Sequence, residues 1–150
     1  MIPFPQTALL TNFGRNSCYI FALARAVEIL TGKDLLASDV LRVALKTRNV
    51  SSNAFVYDAG SFCDEIASLV LGDSKYAFTV SKELQPSIMS NVCNIQHWVL
   101  SSNSYSAHHF KLDSWDSVQF MTQAEKLGSI VDYRVVTLLQ GADERQLELF

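Results

Sequence analysis

The stretch from Ser17 to Gly32 reads SCYIFALARAVEILTG, and its pattern decides the fold. Alanine, leucine and glutamate favour a helix, no proline interrupts the run, and Gly32 stands where a helix closes in the left-handed conformation. Asn16 or Ser17 supplies the N-cap. Apolar residues almost surround the helical axis instead of forming one stripe, so this helix is expected to be the buried centre of the domain. Cys18 then falls in its first turn.

Working outward, a second helix is expected from Ser38 through DVLRVALKTR, with Val40, Leu41, Val43, Ala44 and Leu45 on one broad side. A third begins at Ser61, where Ser61 and Asp64 form a capping-box pattern, and ends at Gly72. After Asp73 the texture changes. YAFTVS, NIQHWVLSS, HFKLDSW, VQFM and DYRVVTLL are short, aromatic and β-branched, and each is bounded by polar breaks. Upstream, Met1 to Asn16 carries Pro3, Pro5 and Gly14 and reads as an extended arm, and the closing GADERQLELF reads as a polar tail. The expected fold class is α+β: one domain over residues 1–150, its central amino-terminal helix packed on a mainly antiparallel carboxy-terminal sheet.

Composition narrows the function classes. The 150 residues, 49% hydrophobic and 18% charged, suffice to bury a core without metal or disulfide staples. Twelve basic residues against fifteen acidic ones, with no Lys/Arg run, argue against a nucleic-acid partner. Three cysteines with no CxxC pair exclude a full disulfide framework and fit a reducing compartment. The amino terminus lacks the charged n-region of a signal peptide, and no apolar stretch reaches the length of a membrane span. A cytoplasmic location is expected, or a virion-associated one if a phage encodes the chain; oligomeric state is not legible.

Three side chains suggest chemistry. Helix-start N–H groups and the helix dipole favour negative charge on the Cys18 thiol, the direction that makes a cysteine reactive. A buried cysteine that only fills space is the competing reading. His97 lies in a strand-like run, and if NIQHWVLSS and HHFKLDSW form a hairpin turning about Tyr105, Asp113 stands directly opposite it. Cys18, His97 and Asp113 would then be nucleophile, base and orienting acid. Asn12, six residues before Cys18, can offer its amide to an oxyanion hole, although Asn beside a loop glycine is also an ordinary turn residue. His108 and His109 are rival bases. Those histidines with Cys93, Asp113 and Asp116 are numerous enough for zinc, but no HExxH or paired CxxC spacing occurs, so no metal and no cofactor is expected. Cys63 and Cys93 lack the helix-start setting and read as structural.

The segments NFGRNSCYIFALARAVEILTGK, QHWVLSS and KLDSW, in that order, resemble the papain-like cysteine peptidase superfamily. The likeness is nearest to its small double-glycine leader-peptidase-like branch and to a family of small uncharacterised bacterial and phage proteins. Tyr19 stands where that branch usually has Gly, Asn12 where it usually has Gln, and Ser114 where Pro is expected. The resemblance implies a papain-like fold and a cofactor-free peptidase, amidase or acyltransferase that cleaves a peptide or isopeptide amide in a peptide or protein substrate. A binding or virion-associated module that keeps the fold without the chemistry is the alternative.

Overall fold

The expected central helix forms as α1, Cys18–Thr31, and nine of its residues, among them Ile20, Phe21, Leu23 and Val27, are buried. Gly32 closes it at φ 71°, where its N–H reaches the Glu28 carbonyl and a side chain would be strained. The computed structural model describes residues 17–100, 108–113 and 128–140. The arm before Ser17, the VQFM strand and the polar tail expected from the sequence lie outside them.

Helix α2 spans Ala37–Lys46 and turns Val40, Val43 and Ala44 inward. Helix α3 spans Ala59–Leu69 and starts two residues before the expected Ser61. Its cap is Asp58, whose carboxylate accepts the Ser61 N–H at 3.0 Å. Asp64, the other half of the apparent capping box, instead accepts the Phe78 N–H at 2.8 Å and ties α3 to the sheet. Replacing Asp58 with Ala should cost about 1 kcal/mol in urea denaturation, a usual value for a lost cap. Hydrogen bonds from Ser61 hold the Asp58 carboxyl below its ordinary range, so this stabilisation is present at neutral pH and is lost as acid protonates the group. The gap between the two proteins should therefore close on acidification.

The sheet is formed by β1, Ala77–Glu83, β2, Val92–Leu100, β3, His108–Leu112, and β4, Gly128–Gln140. All neighbours are antiparallel, in the order β1-β4-β2-β3. The chain is thus α+β, as expected. Side chains alternate between the two faces of the sheet. On the inner face Phe78, Ile95, Leu112 and Val136 are buried in the same core as α1, α2 and α3. Further along the same face lie Lys82, His97, Phe110, Asp132 and Arg134, which the registers bring side by side. Among the described residues no helix is long and apolar enough to cross a membrane.

Candidate active site

Ser17 occupies the N-cap of α1 without a side-chain cap bond, which leaves first-turn N–H groups available to Cys18. The N–H groups of Phe110, Tyr19 and Cys18 itself face the sulfur and favour a thiolate. Burial opposes them and prevails: Cys18 is 9% exposed, and its thiol is pushed above the ordinary value. The expectation of a lowered Cys18 pKa is therefore corrected, because desolvation outweighs three backbone dipoles. The other thiols are raised by burial too, Cys93 to about 11.

His97 is 8% exposed on the central strand β2 and has neighbours on both sides. Its Cα partner on β3 is Phe110, three residues short of Asp113. An odd offset turns a side chain to the opposite face. Asp113 accordingly donates its backbone N–H to the Asn94 carbonyl, and its carboxylate accepts from Gln96 Nε2 at 2.5 Å. Gln96 Oε1 in turn accepts from Trp98 Nε1 at 2.8 Å. Asp113 thus belongs to a polar chain on the outer face and does not orient His97.

The acid that meets His97 comes from the other neighbour. Asp132 on β4 is its register partner, and a bulge follows immediately, between His97 and Trp98. Bulges re-aim side chains and recur beside active sites. Asp132 Oδ1 lies 3.0 Å from His97 Nδ1 and accepts from Arg134 Nη1 at 2.5 Å, while Lys82 Nζ stands 3.6 Å from Oδ2. Burial would raise the Asp132 carboxyl, but the His97 hydrogen bond and the Arg134 charge outweigh it and hold the group below the usual carboxylate range. Burial lowers His97 despite the help Asp132 gives its charged form.

These directions fix the tautomers. An ionised Asp132 only accepts, so His97 Nδ1 carries the proton and donates. A neutral His97 then has an unprotonated Nε2, which accepts from His108 Nδ1 at 2.8 Å. With Nδ1 engaged by His97, Nε2 is the remaining ring nitrogen of His108. Among the described residues that nitrogen has no hydrogen-bond partner, and neither His97 nor His108 hydrogen-bonds the Cys18 thiol. The basicity prepared by Asp132 is therefore handed through His97 to His108, which is exposed on the edge strand.

Aromatic rings hold this chain in place. The Phe110 ring lies 4.5 Å from that of His97 at an interplanar angle of 4°, and Tyr19 stacks on Phe110 at 4.2 Å. Tyr19, next to the nucleophile candidate, thus couples the helix start to the strand opposite His97. Cys18, Tyr19, His108 and Phe110 border one cavity of about 630 Å³. Another part of its wall is the turn between Val50 and Val56, where Ala54 sits at φ 65°, together with the exposed Phe55 and Tyr57. Glu65 accepts from Thr47 Oγ1 at 2.5 Å and from Asn49 Nδ2, which anchors the base of that wall to α3.

Of the sequence candidates, Cys18 borders the cavity, His97 lies behind it, Asp113 is turned away and Asn12 is outside the described residues. Asp132 lies in DYRVVTLL, which reads as a strand, but nothing local in the sequence pairs that strand with NIQHWVLSS. Among the described residues no group of three or more His, Cys, Asp or Glu is placed to hold a metal ion. Comparison with protein-family models, curated proteins and solved structures returned no match.

Proposed function

We propose that this chain is a cysteine-dependent hydrolase of papain-like type that cleaves a peptide or isopeptide amide. The observation that carries the reading is one shared cavity: Cys18, at the first turn of the central helix, and His108, at the outer end of the Asp132–His97–His108 chain, both line it. Cys18 is the nucleophile, Asp132 replaces Asp113 as the orienting acid, and the His97–His108 pair is the base. A central helix packed on an antiparallel sheet supports the papain-like assignment.

In this reading the free enzyme holds a neutral thiol and a neutral His97 imidazole, in keeping with a raised Cys18 and a lowered His97. As the sulfur attacks the carbonyl carbon, its proton passes to His108 Nε2. Collapse of the tetrahedral intermediate breaks the C–N bond, and the same proton leaves on the amine. Water then adds to the thioester and releases the acid and the thiol. Asp132 stabilises positive charge on the imidazole pair while the proton resides there.

A second reading, a binding module without chemistry, is favoured by the buried thiol and by the His97 Nε2 being occupied by His108. Incubation with p-nitrophenyl acetate, followed by residue-resolved mass spectrometry, separates the two. The hydrolase should carry acetyl on Cys18 and turn over. Equal or absent acetylation of Cys18, Cys63 and Cys93 would favour the module.

A further inference from the structure

The charge of the cavity is opposite in sign to that of the chain. The protein carries a formal −3, yet the charged side chains lining the cavity are Lys82 and Arg134, with no carboxylate among its described lining residues. The two cations are Cα partners on β1 and β4 and so project from the same face. Asp132, 5% exposed, is the one acid they share among the described residues, and it also receives His97. One carboxylate thus meets two permanent cations.

The two cations do not share that acid equally. Arg134 is held at 2.5 Å from Asp132 Oδ1, whereas Lys82 reaches Oδ2 only at 3.6 Å and its side chain is 65% exposed. An ammonium at that separation is a point charge on a flexible stem, free to turn toward a second anion. The same cavity is lined by Phe55 and Tyr57, 63% and 66% exposed, with ring centroids 5.3 Å apart in an edge-on pair. A cavity of about 630 Å³ with cationic and aromatic lining residues matches a peptide fragment bearing one negative group.

We infer that the Cys18 cavity selects a peptide carrying a carboxylate beside the bond to be cleaved, held by Lys82 with Arg134 behind it and flanked by Phe55 and Tyr57. The inference rests on the hydrolase reading for the cleavage but not for the binding. The carboxylate is either an acidic side chain or a chain terminus, and the two share one recognition chemistry.

The test is an NMR titration of the full chain carrying Cys18→Ala with three probes of nearly equal shape. N-acetylglutamate α-amide has only the side-chain carboxylate, N-acetylglutamine only the terminal one, and N-acetylglutamine α-amide has neither. At least one acid should bind about tenfold more tightly than the neutral probe, and which one does identifies the source. Lys82→Gln should erase that difference, as should high salt if the attraction is chiefly charge. Equal binding of all three probes, binding of none, or a preference that survives Lys82→Gln would overturn the inference. The hydrolase reading stands or falls separately, on the acetyl adduct at Cys18 in the wild-type chain.

Discussion

Cys18→Ala should lower turnover of p-nitrophenyl acetate by about 10⁵-fold, the scale on which removing a nucleophile from a concerted catalytic set acts. The fold should survive, because alanine is the best residue for a first helical turn and the loss of one buried sulfur costs about 1 kcal/mol. Cys63→Ala is the informative contrast. Cys63 is fully buried in α3, so its replacement should lower stability by a similar amount and leave turnover unchanged. The pH profile of the wild type carries the sign of the shifts. Burial keeps His97 below its ordinary value of about 6.5, so the part of the acidic limb of kcat/KM that His97 sets should fall below that pH. A raised thiol adds no limb in the neutral range. Full turnover in Cys18→Ala would remove the nucleophile assignment outright.

The helices were legible because their signals are local. Alanine and leucine density with a closing Gly32 fixes α1 within a residue, and the apolar wrap of its surface announces its buried place. The strands after Asp73 were legible in existence for the same reason. Their pairing was not, since register depends on a turn whose length the flanking sequence does not state. A shift of three residues moved the partner of His97 from Asp113 to Phe110. Because side chains alternate, that shift also sent Asp113 to the outer face, where Gln96 takes it.

Asp132 was hidden for a different reason. It is 35 residues from His97, and only the position of β4 between β1 and β2 brings them together. Likewise, the helix-start setting of Cys18 is visible in sequence, whereas its burial depends on how α1 packs into the rest of the chain. Chemistry at a helix end can be read from one segment. The balance between dipoles and burial needs the neighbours.

Asp132→Asn should reduce turnover by about 10⁴-fold, as expected where an orienting carboxylate becomes an amide and the wrong imidazole tautomer results. The Asn amide can donate to His97 Nδ1, leaving the proton on Nε2. His97 then donates to His108 Nδ1, which places the His108 proton on Nε2 and removes the bare nitrogen from the cavity. ¹⁵N NMR of the imidazoles should show both tautomers inverted. Stability should fall by about 2 kcal/mol near neutral pH, since a charged acceptor for His97 and Arg134 is lost. The pH dependence follows from two depressed groups. The unfolded chain takes up a proton at His97 near pH 6.5 and at Asp132 near pH 3.9, while the folded chain resists both, so wild-type stability declines as pH falls through each range. The substitution removes the carboxylate part of that decline. Asp113→Asn is the decisive companion, because its carboxylate meets Gln96 on the outer face and its loss should leave turnover unchanged. If Asp113→Asn were the damaging change and Asp132→Asn the silent one, the Asp132–His97–His108 chain would have no part in the reaction.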